Sequence, residues 1–329
     1  MEKSYWKSIL SGIAALTVVF YIIAVWWSGE PDVPDVHEVA RATAEQEEVS
    51  MVPGYATTTS LILVVDQLMN KPGGYLSNDV MPPGVLMDNM PSWEFGVLEI
   101  ARDTALAMRR DFARSQSQST EDPDLTVAHP SLNISHTSWM LPSSEDEYSK
   151  AVVALKSYRT RLADPNDFSA QFYTRADNLS EWLRFVEKRL GSQSQALSAS
   201  VGRDSLNIDM MGDTHGSQST ATPDEQMVKT SWWKIDDVFY EARGTSWALM
   251  VMLRGIEVDF AEVLKKKNAT VGLQQIIREL EATQTSLWSP MVLNGSGFGM
   301  LANHSLVMAN YISRANAAVI DLRELLNQG

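Results

Sequence analysis

The clearest signal along the chain is a row of apolar residues at every third or fourth position, repeated in one segment after another. From Ile235 the positions 235, 239, 242, 246, 249, 253, 256, 260 and 263 alternate steps of four and three, and only Ser246 interrupts the apolar row. Phe168, Phe172, Ala176, Leu179, Leu183, Val186 and Leu190 follow nearly the same rule. A period close to 3.5 residues predicts long, heptad-patterned helices packed at a shallow angle, knobs into holes. Other amphipathic segments in the chain can supply the facing helices, which favours packing within one molecule; a second copy would give the same pattern.

Those other segments read in the same way. Val97, Ala101, Ala105, Met108 and Phe112 share one stripe of a helix expected from Trp93 to about Gln118, with Ser92 as its cap. Ser144 and Glu147 form a capping box ahead of Tyr148, Val152, Leu155, Tyr158 and Leu162. Further helices are expected over 271–287 and 303–327, the latter with Leu306, Ala309, Ile312, Ala315, Val319, Leu322 and Leu326 on one face. The run ATTTSLILVVDQLMN, capped by Thr59 or Ser60 and stopped by Lys71-Pro72-Gly73-Gly74, is too short to span a bilayer and reads as a buried core helix. Between the helices, Ser/Thr/Pro-rich connections run to Pro142 and Gly/Ser/Asp/Thr-rich ones over 202–229. The fold class is therefore all-α, an elongated helical bundle.

One apolar segment differs in kind. Ser8–Trp27 holds 20 residues without a charge, and at about 1.5 Å per residue it spans about 30 Å, a hydrocarbon thickness. It exceeds the usual apolar stretch of a cleaved signal, and Trp26-Trp27 stands where a cleavage site would want small side chains, so it reads as a retained signal-anchor. Lys3 and Lys7 precede it while Glu30, Asp32, Asp35 and Glu38 follow, which favours a cytoplasmic amino terminus and an exported remainder. The expected division is a tail at 1–7, an anchor at 8–27, a solvated stalk at 28–53, a helical region at 54–201, a linker at 202–229 and a second helical region at 230–329. A short helix through Val36–Val49 fits within the stalk. Residues from Val97 and from Val238 are similar enough (V-x3-A-R-x-T-x2-A) to raise an old duplication.

Charge and chemistry narrow the picture further. The net charge is −14, from 27 Lys and Arg against 41 Asp and Glu, which disfavours nucleic acid as a partner. There is no cysteine, hence no disulfide and no thiolate chemistry. The five histidines are scattered and no H-E-x-x-H occurs, so no metal site and no cofactor is expected. Asp237 and Glu241, one helical turn apart, are the candidate catalytic pair, for acid–base hydrolysis of peptidoglycan. Solvated surface carboxylates are the simpler reading of both. Gly295, Gly297 and Gly299, followed by Asn303 at a helix start, form the candidate binding loop for an anion, although no complete phosphate-loop pattern is present. Basic clusters such as Arg109-Arg110-Arg114 and Lys265-Lys266-Lys267 fall late in helices, where they offset the helix dipole.

Taken together, GGYLSNDVMPPG, SWEFGVLEIARD, FARSQSQSTEDPDL, FYTRADNLSEWL, RLGSQSQALSASVG, IDDVFYEARGTSWAL and LANHSLVMANYISRANAAVIDLRELL resemble the bacterial envelope family known as domain of unknown function 2333. The resemblance runs from about Gly54 to Leu326 and implies an amino-terminal membrane helix in a Gram-negative inner membrane. It assigns no activity and no catalytic residue. The resulting expectation is a non-enzymatic protein, anchored through 8–27 with its bundle in the periplasm, that binds an envelope partner or itself. The alternative is a peptidoglycan hydrolase working through Asp237 and Glu241.

Overall fold

The computed structural model describes residues 2–114, 120–206, 225–286, 292–296 and 299–328. They form an all-α protein in which α1 (Glu2–Trp27) stands apart and the other helices share one core. These are α2 (Val36–Gln46), α3 (Tyr55–Asn70), α4 (Asn89–Ala107), α5 (Pro123–Leu132), α6 (Ser144–Ala163), α7 (Ala176–Ser198), α8 (Ile235–Asp259), α9 (Ala261–Lys266), α10 (Thr270–Ala282) and α11 (His304–Asn327). Two short antiparallel strands, β1 (Arg203–Leu206) and β2 (Glu225–Val228), lie between α7 and α8.

The organising element is α8. Its middle, from Ala242 to Leu253, is buried on every side. A helix that is apolar all round must be surrounded, and α8 touches α2, α3, α4, α7, α10 and α11. The four–three row at 235–263 is thus one face of a central helix and not the seam of a coiled coil. The row also crosses a break: α8 ends at Asp259 with Phe260 as its cap, and Val263 belongs to α9. α4 runs parallel to α8, with Trp93 against Trp247 at one end and Phe112 against Phe260 at the other. The two segments with similar sequences are therefore direct neighbours. α3 lies antiparallel to α8, and α7 antiparallel to α11 through Arg323 and Ser180 at one end and Ser194 and Ala309 at the other. The helical regions before and after 202–229 consequently share a single core.

Several helix limits differ from expectation for local reasons. α7 begins at Ala176, because Asp164 and Asp167 turn the chain after α6, their carboxylates accepting from the Asn166 and Ser169 amides. Phe168 is left exposed, and Phe172 reaches the core from a loop by stacking on Phe112 and Phe260. The cap of α6 is Ser143, whose Oγ accepts from the Asp146 amide at 3.1 Å, while Ser144 Oγ donates to the Ser135 and Ser138 carbonyls. Asp88 caps α4 in place of Ser92. α5 occupies part of the stretch read as a polar connection; Asp122 caps it and Pro123 fills its first turn. α4 continues into one π turn, Met108–Phe112.

Residues 28–53 run along the bundle. Within them α2 buries Val36, Ala40 and Ala44, one residue per turn, against α3 and α8. Proline content and charge made this stretch read as a tether, and that fourfold spacing is what seats it.

α3 shows how distant parts complete one another. Its first residue follows Gly54, which has a left-handed φ of 91° and whose missing side chain leaves room for the Phe172 ring. A glycine cannot cap with a side chain, so Asp259 at the end of α8 does so, accepting from the Thr57 amide at 2.7 Å. Burial pushes the Asp259 carboxyl up to about 6, against the opposing effect of its bonds at Thr57. Between about pH 4 and that value the native state keeps a proton that the unfolded chain has released, so stability falls as pH rises through this window. The loss is on the order of 2–3 kcal/mol. Denaturant unfolding of the parent and of Asp259→Asn across this range is expected to show the steeper decline in the parent, the difference between the two being the Asp259 contribution.

Candidate functional site

The two carboxylates singled out by sequence lie in the first turns of α8, and each is taken up by a different neighbour. Asp237 faces the start of α4. Burial raises its pKa, the carboxylates of Asp88 and Asp236 add to the shift, and Ser92 opposes it as a hydrogen-bonding neighbour. Its Oδ1 is enclosed without a hydrogen-bond partner. Glu241 faces α7, where Gln193 Nε2 donates to its Oε1 at 2.6 Å. Burial raises this carboxyl as well, against the bond from Gln193.

The glycine loop closes on itself. Asn303 Nδ2 donates to the Gly295 carbonyl at 2.6 Å, and the Gly299 amide donates to the Ser296 carbonyl at 2.8 Å. Asn303 caps α11 by accepting from the Leu306 amide at 3.0 Å, and Asn294 Oδ1 accepts from Ser305 at 3.1 Å. Two of the amides that an anion would use at the start of α11 thus have protein acceptors. Gly297 lies outside the described residues. Among the described residues no group of three or more His, Asp or Glu is placed to hold a metal ion.

The most constrained polar centre is one the sequence reading did not single out. Arg243 sits in the buried middle of α8, where a charge needs full pairing. Its Nε donates to Glu30 Oε1 at 2.8 Å and its Nη2 to Glu30 Oε2 at 2.5 Å. Nη1 donates to the Thr283 and Thr285 carbonyls at 2.8 and 3.0 Å. The guanidinium therefore clamps the chain just after α1 to the end of α10. A cavity of about 360 Å³ on one side is bounded by Glu30, Asp32, Tyr240 and Gln284. Another of about 280 Å³ on the other side is bounded by Phe239, His304, Met308 and Tyr311. Burial and the nearby Glu30 carboxylate push the Tyr240 hydroxyl pKa upward. The one legible signal was a charge inside an otherwise apolar helix; its partner lies too far away in the chain for spacing to reveal.

A second buried pair lies close to the same end of the bundle. Lys71 Nζ is 2.6 Å from Glu94 Oε1, and both side chains are 0% exposed. Glu94 also accepts from the Leu76 and Ser77 amides at 2.9 and 2.8 Å and from Ser77 Oγ at 2.5 Å. It fastens the turn after α3 to α4. Trp27, the last residue of α1, lies over Gly73 in that turn, since a Cβ on Gly73 would come within 2.6 Å of the Trp27 ring. On the flank of the bundle, α5 and α6 leave an open groove of about 830 Å³ with Val127, Leu141, Val153 and Ala154 in its lining and Asp124, Asp146 and Lys150 beside them.

A family profile described as an uncharacterized protein conserved in bacteria, DUF2333, matches residues 1–329, and the chain belongs to that family. No curated protein and no solved structure matches. The helix at Tyr5–Trp27 is long and apolar enough to cross a membrane, and none of its apolar window is buried.

Proposed function

We propose that this member of the bacterial family is a single-pass inner-membrane protein whose bundle acts on the periplasmic face as a binding or scaffolding component of the envelope. The observation that carries the reading is the clamp between Arg243 and Glu30, which fixes the bundle to the chain three residues beyond α1. A domain held this way is a platform at a set height above the bilayer. Retention of α1 is supported by Trp27, whose ring is part of the packing over Gly73. Orientation follows from Lys3 and Lys7 on one side and the acidic residues on the other.

A photo-crosslinking residue placed at Val127 or Val153 in the groove, in the intact protein in cells, is expected to trap a discrete envelope partner or a second copy of the chain. The same residue at Val271, exposed on α10, is expected to trap neither. Equal or absent crosslinking at all three positions removes the support for association. The second reading, a peptidoglycan hydrolase, draws on Asp237 and Glu241 as two carboxyls one helical turn apart on α8, both partly withdrawn from solvent and both pushed upward by burial. Turnover of peptidoglycan by the full-length chain, abolished by Glu241→Gln, would replace the scaffold with that enzyme.

A further inference from the structure

The bundle has two ends, and they differ in what they expose. The packing directions place the end of α3, the start of α4, the end of α5, the start of α6 and the start of α8 together with Trp27. Salt bridges and side-chain bonds fix this order: Lys71 to Glu94, Tyr75 to Tyr148, Asn78 to Ser138, and Arg243 to Thr283 and Glu30. The end of α10 and the start of α11 join them, through the cavity shared by Arg243, Thr283 and His304.

Four connections therefore emerge at the end where α1 leaves, and all four carry large apolar side chains in solvent. They are Met81 and Leu86 after α3, Trp139, Met140 and Leu141 before α6, Trp232 and Trp233 before α8, and Met300 and Leu301 before α11. Leu141 is 93% exposed and Met300 fully so. The connections are tied to one another. Asn78 Nδ2 donates to the Ser138 carbonyl at 2.9 Å, and Asp88, Trp232, Trp233 and Asn294 line one cavity of about 210 Å³. At the opposite end, in the described parts of the connections after α2, α4, α6 and α8, Phe168 is the one large apolar side chain in solvent; Val271 lies in the first turn of α10.

We infer that the described apolar residues of these four connections form a foot that rests in the outer surface of the same bilayer that α1 crosses. The inference rests on the anchored reading above. Three observations select lipid as the occupant. The apolar connections share the end that carries Trp27, whose place at the end of a membrane-length helix marks the interfacial level. Trp27 lies directly on the first of them, at Gly73, so the foot is continuous with the anchor. The exposed residues are Trp, Met and Leu spread over four separate connections, Leu141 also bordering the groove between α5 and α6, and such a spread suits shallow insertion between headgroups. Asp88 and Asp236 beside the tryptophans add no attraction for anionic headgroups, so contact comes from apolar burial.

The chain has no cysteine, so single cysteines report without background. Spin labels at Leu16→Cys, Leu141→Cys, Trp233→Cys and Met300→Cys are compared with Phe168→Cys and Val271→Cys in the full-length protein, reconstituted in phosphatidylcholine bilayers. Accessibility is read with oxygen, which concentrates in lipid, and with a water-soluble nickel chelate. The labels at 141, 233 and 300 are expected to show an oxygen-to-nickel ratio several-fold above those at 168 and 271, approaching that at 16. Ratios at 141, 233 and 300 equal to those at 168 overturn the foot, and the anchor stands if position 16 is still in lipid. Loss of the lipid signal at 16 overturns both. Shielding of 141, 233 and 300 from both reagents also overturns the proposal, because a second copy of the chain then covers the surface.

Discussion

Glu94→Ala is expected to cost about 3–5 kcal/mol of folding stability, the penalty for leaving one partner of a buried ion pair alone. The side chains of Lys71 and Glu94 are both fully buried, and burial alone pushes the Glu94 carboxyl up, against the opposing effect of Lys71. Removing Glu94 leaves the Leu76 and Ser77 amides without their acceptor, and leaves Lys71 Nζ with only the Gly74 carbonyl and Ser77 Oγ with only the distant Pro91 carbonyl. Lys71→Met is expected to cost less, because Glu94 keeps its three donors at Leu76 and Ser77. The double variant is expected to lose less than the two singles added together, since an orphaned charge no longer remains. Urea unfolding of the full-length protein in detergent, followed by tryptophan fluorescence, measures all three. A loss below about 1 kcal/mol for Glu94→Ala would place the pair with exposed ion pairs and contradict its burial.

The second large effect is expected at the crossing of α4 and α8. A Cβ on Gly244 would lie 2.0 Å from the Trp93 carbonyl oxygen and 2.8 Å from its carbon. On the other helix, a Cβ on Gly96 would lie 2.1 Å from the Glu241 carbonyl oxygen. These are backbone contacts, so no rotamer change relieves them and the helices must separate. Gly244→Ala is expected to destabilise by about 3 kcal/mol, the upper part of the usual range for overpacking. Gly191→Ala in α7 is the matched control, because its Cβ meets nothing closer than Asn316 Nδ2 at 3.7 Å. There alanine is expected to stabilise by about 0.5–1 kcal/mol through its helix propensity. Opposite signs in the same unfolding assay identify the close approach as the cause.

What could be read beforehand follows the range of each interaction along the chain. The helix ending near Leu326 and its start at Asn303 were legible because a cap and a stripe are local signals. The core helix before Lys71 was legible from its apolar run and its stop at Lys71-Pro72-Gly73-Gly74, but not its start: it begins at Tyr55 after Gly54, and Thr59 and Ser60, expected as caps, lie inside it with their hydroxyls bonded to the Tyr55 and Ala56 carbonyls. The stripe at 235–263 was legible but told of one face alone, whereas Trp247, Ala248, Met250, Val251 and Met252 fill the other faces of α8 with buried side chains. α5 was hidden by the polar residues around it, although Asp122-Pro123 is a legible helix start. At Arg243 only the charge within the helix was legible, and its partner was not. Glu30 carries no local mark of a buried partner, and its earlier use as a charge that sets orientation is compatible with its place in the clamp. Asp237 and Glu241 were found as a pair by spacing, which does not show that one turns toward Asp88 and the other toward Gln193.

The parallel pairing of α4 with α8 has a consequence for the order in which the molecule can be completed. Synthesis delivers Trp93 long before Gly244, and the face of α4 that holds Trp93, Val97 and Phe112 is covered by residues that follow. Until α8 emerges, the first half of the bundle carries an unfinished core and gains little from collapsing alone. The joint at Glu30 waits longer still, because the Arg243 guanidinium that donates to it also donates to the Thr283 and Thr285 carbonyls. The segment next to α1 is among the earliest made and the latest to be locked in place.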